Sequence, residues 1–298
     1  MSLIQELEEI SVTEINAKKY IAEFLLKEKE HINKYSMQQI ADQTFTSKST
    51  LFRFAQNLNY SGWKEFMQTF LKEIDYINKH YSNIDPNLPF LAGESSQSIV
   101  EKLTEIQIES IRNTADLIDY EMLNLAVDRI LNASRNIVLF GISPNNLMGQ
   151  LLRRKLNSIG IILTIANTDE NGMLASGLNK GDCAILVSYS GNNKSREPMR
   201  FLELLKKNHV NLIAITSAEN NYLRENVDCC LTISSREKLY SKIGNFTTEE
   251  SILHIFNLIY ACLFSRNFIH NYNYKVKNSE NFEYRRNASL FDIQEKRD

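Results

Sequence analysis

From residue 136 onward, the sequence holds five short apolar runs separated by segments with helical spacing. The runs are NIVLF (136–140), IILTI (161–165), CAILV (183–187), NLIAI (211–215) and CLTI (230–233). They are continuous rather than alternating, which suits strands buried on both faces. Strands that alternate with helices form a parallel sheet covered by helices on both sides. We therefore expect an α/β domain with a doubly wound, five-stranded parallel sheet.

The rest of the chain differs from this pattern. Residues 1–79 read as helical, with no proline and no glycine before Gly62. Residues 80–98 gather two prolines, a glycine and four serines, which is typical of a linker. We expect an all-α domain over 1–79, a linker over 80–98, the α/β domain over 99–266 and a polar C-terminal tail over 267–298. A tail of this composition is expected to be partly disordered.

Composition excludes several classes of protein. The net charge of −2 gives no overall sign of a nucleic-acid or membrane partner. The four cysteines form no C-x-x-C pair and the five histidines no metal-binding pair, so we expect neither a metal nor a cofactor. The N-terminus lacks the features of a secretory signal, and the longest apolar stretch, residues 252–264, is too short to span a bilayer. We expect a cytoplasmic chain without a membrane partner.

Within the first domain, residues 35–66 carry a short helix, a tight turn and a second helix that begins after Ser47. Ser47 is placed to cap that helix, whose apolar residues (Leu51, Phe54, Ala55, Leu58) share one face. Residues 34–64 contain four basic residues and one acidic residue. A basic, polar second helix after a tight turn indicates a DNA-binding helix-turn-helix, although any three-helix domain can show this spacing.

A resemblance sharpens this interpretation. The segment IADQTFTSKSTLFRFAQNLNYSGWKEF resembles the N-terminal domain of the RpiR family of bacterial sugar-phosphate-responsive regulators, in register at Ser47, Thr50, Arg53, Phe54, Leu58, Tyr60 and Gly62. Thr46 stands where the family usually has valine. Asn59 stands where it has glycine, which is a mild change because asparagine also ends helices in the left-handed conformation.

The predicted contacts with operator DNA follow from this register. We expect bases or phosphates to be contacted by Lys48, Ser49, Thr50 and Arg53, and the DNA backbone by Ser47, Ser61, Trp63 and Lys64. For Arg53, a buried ion pair with an acidic residue is equally compatible with the sequence.

Two polar loops follow predicted strands of the second domain. GISPNN, residues 141–146, follows the first strand, and SYSGNN, residues 188–193, follows the third. If these strands are neighbours, the loops face each other where the strand order reverses, which is where doubly wound sheets bind ligands. Each loop is predicted to end at a helix N-terminus, which attracts anions. Capping residues in ordinary strand-to-helix turns look the same, so the residues alone leave both interpretations open.

Residues 136–233 are also similar to a SIS (sugar isomerase) domain, a flavodoxin-like module that follows the DNA-binding domain in the RpiR family. The family's phosphosugar loop reads S-x-S-G-x-T, and Ser188, Ser190 and Gly191 match it, whereas Asn193 replaces the threonine. In the first loop the family reads G-x-G-x-S, whereas this chain has Ser143 and Asn145 at the last two marked positions. The resemblance implies that these six residues bind a phosphorylated sugar.

The two resemblances together predict a non-enzymatic transcriptional regulator that acts as a homodimer or homotetramer. One alternative is a sugar-phosphate isomerase or lyase, for which Glu249 and Glu250 are the only acid–base candidates, although both also suit a helix N-terminus. Another is a regulator whose SIS domain serves only for oligomerisation, since Asn145 and Asn193 depart from the family pattern.

Overall fold

The computed structural model describes residues 3–29, 31–80, 82–167 and 169–283, together with residues 290 and 294. The chain divides into two compact units. The first comprises residues 1–113, 218–220 and 236–246, and the second comprises 114–217, 221–235 and 247–298. The division near residue 113 lies inside a helix, well beyond the segment 80–98 that reads as a linker.

The first unit is helical, as the sequence predicts. Its helices are α1 (Leu3–Thr13), α2 (Ala17–Lys27), α3 (Met37–Gln43), α4 (Lys48–Asn57), α5 (Trp63–His80) and α6 (Ser96–Asp116), the last of which continues into the second unit. Buried residues of α1 to α5 form one core, in which Phe66 packs against Phe54 and Phe70 with ring centroids 5.8 Å and 6.1 Å apart. This core fixes the relative positions of α3 and α4.

The second unit contains the predicted sheet. Its strands are β1 (Ile137–Phe140), β2 (Thr164–Ile165), β3 (Cys183–Val187), β4 (Asn211–Ser217) and β5 (Cys230–Ile233), all parallel, in the order β2-β1-β3-β4-β5. Its helices are α7 (Tyr120–Leu131), α8 (Asn145–Asn157), α9 (Asn171–Gly177), α10 (Leu202–Lys207), α11 (Tyr222–Asn226), α12 (Thr248–Arg266) and α13 (Phe268–Phe282). The doubly wound fold class is confirmed.

The sheet is buried on both faces, which explains why its strands read as continuous apolar runs. Ile137 and Leu139 of β1 belong to the core shared with α7, α8 and α12. Val138 and Phe140 belong to the opposite core, shared with α9, α10 and α11. Each such side chain contributes about 1.5–3 kcal/mol by leaving water, so strands of four or five residues suffice.

The strand order reverses beside β1. From β1 the chain moves to β2 on one side, then returns to β3 on the other, where Phe140 is paired with Leu186. The carboxyl ends of β1 and β3 are therefore adjacent, which was the condition for the two polar loops to face each other. This is the position at which doubly wound sheets bind ligands.

The C-terminal region differs from the expected polar tail. Residues Phe268–Phe282 form α13, whereas most residues after 283 lie outside the described part of the chain. Within the described residues, no single helix has the length and apolar composition needed to cross a membrane. Helices α12 and α13 pass that test only as a pair, and they are bent by 107°.

Candidate functional site

Helices α3 and α4 and the turn between them form the predicted helix-turn-helix. A capping box starts α3, in which the Gln39 amide donates to Ser36 Oγ at 3.3 Å and the Ser36 amide to Gln39 Oε1 at 2.8 Å. In the turn, Thr44 Oγ1 donates to the Ile40 carbonyl at 2.7 Å. Ser47 then caps α4, as the sequence predicts, by accepting from the Thr50 amide at 3.1 Å.

Helix α4 has a buried face and an exposed face. Leu51, Phe54 and Ala55 are buried in the core. Ser47, Lys48, Ser49 and Arg53 are exposed and Thr50 is half-buried, so the structure brings these predicted DNA contacts together on one short helix. Exposure of Arg53 removes the alternative of a buried ion pair; its Nε donates to the Ser49 carbonyl at 3.4 Å.

The end of α4 shows why asparagine can replace the family's glycine. Asn59 has φ of 62°, in the left-handed region. The Tyr60 amide donates to the Ala55 carbonyl at 3.1 Å and the Asn59 amide to the Gln56 carbonyl at 3.0 Å. This Schellman motif satisfies carbonyls that the helix end would otherwise leave free.

The three predicted backbone contacts after α4 differ in their surroundings. Ser61 donates to Glu65 Oε2 twice, from its amide at 2.7 Å and its hydroxyl at 2.5 Å, which lowers the pKa of the Glu65 carboxyl. Trp63 is only 8% exposed and stacks on Phe66 with centroids 5.1 Å apart, so its ring belongs to the core. Lys64 is exposed. The roles of these three residues at DNA stay predictions.

In the second unit, the loop after β1 leads directly into α8. Asn145 is the first residue of that helix and is buried, and its Nδ2 donates to the Val187 carbonyl at the end of β3, at 3.2 Å. Ser143 is exposed. The N-terminus of α8 therefore lies beside the end of β3, where the positive end of the helix dipole favours an anion. Its amides are partly engaged already, since the Asn145 amide donates to the Ile142 carbonyl at 2.8 Å and the Leu147 amide to Asn146 Oδ1 at 2.9 Å. Asn145 also has a structural role, because it ties the two loops together.

The loop after β3 is shaped by Gly191. This residue has φ of 60°, and its amide donates to Ser188 Oγ at 3.2 Å. A Cβ at this position would lie 2.4 Å from Asn221 Oδ1 and 2.8 Å from Thr216 Oγ1. Only glycine fits both the left-handed conformation and this close approach. Ser188 and Ser190 are half-buried within the same loop.

The expectation that this second loop ends at a helix N-terminus is wrong. Helical structure resumes only in a 3-10 helix over Met199–Phe201, followed by α10. Pro198 explains the delay, because it disfavours helical conformation at the preceding residue and is itself tolerated only at a helix start. Asn193 is exposed, and its Oδ1 accepts from the Ser195 amide at 3.0 Å within the loop.

Asn221 supports the loop after β3 although sequence reasoning did not single it out. It is 1% exposed and caps α11 by accepting from the Arg224 amide at 2.9 Å. Its Nδ2 donates to Thr216 Oγ1 at 3.2 Å. The capping pattern before α11 was visible in the sequence, but the approach to Gly191, thirty positions earlier, was not.

Two other sets of residues bear on the chemistry. Burial raises the pKa of the Cys183 and Cys229 thiols to about 12, so both stay protonated and unreactive at neutral pH. Among the residues that the structure describes, no three histidine, cysteine or acidic side chains form a group that could hold a metal ion. Glu249 and Glu250 occupy the first turn of α12, where the helix dipole favours carboxylates.

In comparisons with known proteins, the helical and the α/β parts of the chain match two different domain families. The rpiR-family helix-turn-helix domain matches residues 3–84 and the SIS domain matches residues 130–258, more than two thirds of the chain together. An uncharacterized HTH-type transcriptional regulator of Clostridium perfringens is 24% identical over 261 residues, which are 88% of this chain and 91% of the relative.

Solved structures show the same fold. The Vibrio vulnificus NanR protein, complexed with ManNAc-6P, has a TM-score of 0.57 at 19% identity and covers 93% of this chain and 97% of its own. A putative sugar-phosphate isomerase from Listeria monocytogenes has a TM-score of 0.52 at 19% identity, covering 64% of this chain and 98% of its own. Both domain matches, in this order, lead to one assignment: the chain belongs to the RpiR family of DNA-binding transcriptional regulators, with a C-terminal SIS domain.

Proposed function

We propose that this regulator binds operator DNA through α4 and that a phosphorylated sugar, bound between the loops after β1 and β3, controls that binding. The observation that carries the ligand site is the adjacency of these loops at the reversal of strand order. The shape of the Gly191 turn supports it, because the loop keeps a left-handed glycine against two buried polar side chains. The solved NanR relative is complexed with ManNAc-6P, a phosphorylated sugar.

The DNA-binding half of the proposal places Lys48, Ser49, Thr50 and Arg53 at bases or phosphates. Lys48 is exposed in the first turn of α4, next to the amides that Ser47 leaves free. A lysine bound to a phosphate releases about one counterion from the DNA. Lys48→Ala should therefore weaken binding and reduce, by about one, the slope of the logarithm of the binding constant against the logarithm of the salt concentration. Thr50→Ala should weaken binding as well.

These variants are tested with a DNA duplex selected from a randomised library by the full-length chain. Affinity is measured by fluorescence anisotropy at several salt concentrations. Lys72→Ala, at an exposed lysine on α5, is the matched control and should bind like the parent chain. Unchanged affinity of Lys48→Ala and Thr50→Ala at moderate salt would remove α4 from the proposed interface.

The ligand half is tested by a thermal-shift screen of sugar phosphates that includes N-acetylmannosamine 6-phosphate. A compound that binds only the folded chain raises its melting temperature, by an amount that follows its concentration relative to Kd. The unphosphorylated sugars and inorganic phosphate are the controls. Ser190→Ala should abolish the shift caused by any active compound, and that compound should then change the affinity for the selected duplex.

Specific observations favour a second function, in which the SIS domain only holds an oligomer together and binds no sugar phosphate. The amide of Asn145 is engaged with Val187, the side chain of Asn193 is engaged within its own loop, and no helix begins at that loop. Absence of a shift with every sugar phosphate, in a chain that still binds the selected duplex, would favour this alternative over sensing.

An isomerase or lyase has less support. The curated relative is named a transcriptional regulator, and the helix-turn-helix domain has no use in such an enzyme. Glu250 lines a groove between α8, α12 and α13 rather than the two polar loops. Turnover of a hexose phosphate that is lost in Glu250→Ala would establish the enzyme instead.

A further inference from the structure

The turn between α3 and α4 holds an aromatic residue, Phe45, in an uncommon backbone conformation. Its φ of 53° lies in the left-handed region, which favours glycine and which a bulky side chain rarely adopts. The backbone bonds of the turn require this conformation. The Phe45 amide donates to the Asp42 carbonyl at 3.2 Å and the Thr46 amide to the Ala41 carbonyl at 2.8 Å, which is a Schellman motif that ends α3.

The same pair of backbone bonds ends α4, α8 and α10, and in those helices the left-handed position has a residue that suits it. Asn59 follows α4 and His209 follows α10, with φ of 62° and 56°. Gly160 follows α8, with φ of 81°. Asparagine and histidine are enriched in this conformation, and glycine adopts it freely. Phe45 differs from all three, because it is bulky and has no polar group that could bond the backbone locally.

Packing within the chain does not explain Phe45. It is 94% exposed, the highest exposed fraction among the large apolar residues that the structure describes. Phe52 of α4 is 42% exposed, but its ring lies against Gly62, where a Cβ would be 2.6 Å from Phe52 Cε2. Phe52 therefore packs within the folded unit, whereas Phe45 combines a strained backbone with an almost uncovered ring. A residue that breaks a local rule without a gain in packing marks a functional position.

Phe45 lies beside the predicted DNA contacts at the start of α4. It precedes Ser47, the N-cap of that helix, by two positions, so their Cα atoms are at most about 7.6 Å apart. Phe45, Ser47, Lys48 and Ser49 are all exposed. In helix-turn-helix proteins, residues at the start of the second helix contact base edges in the major groove. The ring of Phe45 is therefore placed where base edges are expected.

The chemistry of the phenyl ring limits what Phe45 can contact on DNA. The ring has no hydrogen-bond donor, whereas contacts with phosphates and with polar base edges are hydrogen bonds. The apolar group that base pairs present in the major groove is the C5-methyl group of thymine, and phenylalanine is one of the side chains that contact it. Apolar side chains that insert between base steps enter from the minor groove, where the second helix does not lie. A thymine methyl group is thus the partner that fits both the ring and its position.

We propose that Phe45 is a specificity-determining residue that packs on the C5-methyl group of a thymine in the operator. The inference rests on the proposed contact between α4 and operator DNA. Burial of the ring against the methyl group supplies free energy that the ring does not gain in the free chain. The Schellman motif holds the backbone of Phe45 in one conformation before binding, so little conformational freedom is lost when the contact forms.

The test replaces each thymine of the selected duplex, in turn, with 2′-deoxyuridine, which pairs in the same way and lacks only the methyl group. For the full-length parent chain, replacement of the contacted thymine should weaken binding about fourfold, the effect of one buried carbon. Phe45→Gly should lose at least that much affinity for the thymine duplex and should bind the thymine and uracil duplexes equally. Because glycine suits a φ of 53°, this variant should unfold at the same urea concentration as the parent chain or a higher one.

Two further variants complete the test. Phe45→Asn places a second residue type that suits the turn and should behave like Phe45→Gly. Ile15→Ala, at a residue of the same unit that is 92% exposed and lies outside α3 and α4, is the matched control and should bind both duplexes like the parent chain.

Three results would overturn the proposal: a parent chain indifferent to every uracil replacement, a Phe45→Gly chain with the affinity of the parent, or one that still distinguishes thymine from uracil. The Lys48→Ala variant separates this inference from the proposed function. Weaker binding by Lys48→Ala together with unchanged binding by Phe45→Gly removes the role of Phe45 alone. Unchanged affinity of both variants removes α4 from the DNA interface as well.

Discussion

The loops after β1 and β3 occupy equivalent positions at the end of adjacent strands, yet they are built differently. The first passes directly into α8, so a helix N-terminus forms its end. The second runs through five more residues before helical structure resumes at Met199. An anion at the first loop would gain the positive end of a helix dipole, whereas at the second it would depend on the loop's own hydroxyls and amides.

Each loop is held by one buried asparagine that is engaged with the protein. Asn145 donates from the first loop to the end of β3. Asn221 lies against Gly191 of the second loop and bonds Thr216. The difference is that Asn145 belongs to its loop, whereas Asn221 supports its loop from outside. Substitutions in and around the two loops should therefore lower the free energy of unfolding by different amounts.

The largest effect is expected at Gly191. Gly191→Ala combines a left-handed backbone with a Cβ only 2.4 Å from Asn221 Oδ1, so the free energy of unfolding should fall by about 2–4 kcal/mol. Gly141→Ala is the matched variant in the first loop, where the nearest side-chain atom, Asn145 Cβ, is 3.0 Å away. It should cost about 1 kcal/mol. Urea unfolding of both variants measures the difference, and equal losses would contradict it.

The next effect is expected at Asn221. Asn221→Ala removes a helix cap and the bond that Asn221 Nδ2 donates to Thr216 Oγ1, which should together cost about 1–3 kcal/mol, although the Thr216 hydroxyl keeps its own bond to the Tyr189 carbonyl. Asn220→Ala, at the exposed neighbour, should change the free energy of unfolding by less than about 0.5 kcal/mol. Equal urea midpoints for the two alanine variants would contradict the supporting role of Asn221.

A smaller effect is expected at Asn145. Asn145→Ala removes the bond to the Val187 carbonyl, and loss of a single buried hydrogen bond costs about 1 kcal/mol. If the proposed sensing function holds, the same variant should also lower the affinity for the active sugar phosphate. A neutral effect on stability would show that the bridge between the loops is dispensable.

The smallest effect is expected at Asn193. Asn193→Thr restores the residue usual in the family, and the threonine hydroxyl can make the same local bond to the Ser195 amide more weakly. Stability should change by less than about 0.5 kcal/mol, as for other exposed loop positions. Affinity for the active sugar phosphate, measured by calorimetry, should stay equal or rise. A loss of affinity would show that the asparagine itself binds the ligand.

Local patterns predicted much of this structure. Each of the five apolar runs contains one strand, because continuous burial leaves a signal within the strand itself. The Ser47 cap was predictable for the same reason, since its partner lies three residues away. The long helix α13 was not predicted, because its sequence is polar overall and its apolar residues, such as Ile269 and Phe282, are exposed.

The site was less predictable because its geometry depends on residues distant in sequence. Asn145 bonds a carbonyl 42 positions away, and Gly191 is constrained by Asn221. The delayed helix after the second loop has a local cause, since Pro198 was visible in the sequence. The prediction of a helix at the end of that loop did not take this proline into account.

The burial of Trp63 against Phe66 has a practical consequence. Trp63 is the single tryptophan of the sequence, and it lies in the core of the DNA-binding unit. Fluorescence excited selectively at tryptophan therefore reports on that unit alone. Circular dichroism follows the helices of both units. Recording both signals during one urea titration would show whether the two units unfold together, and whether a sugar phosphate that binds as proposed delays one transition or both.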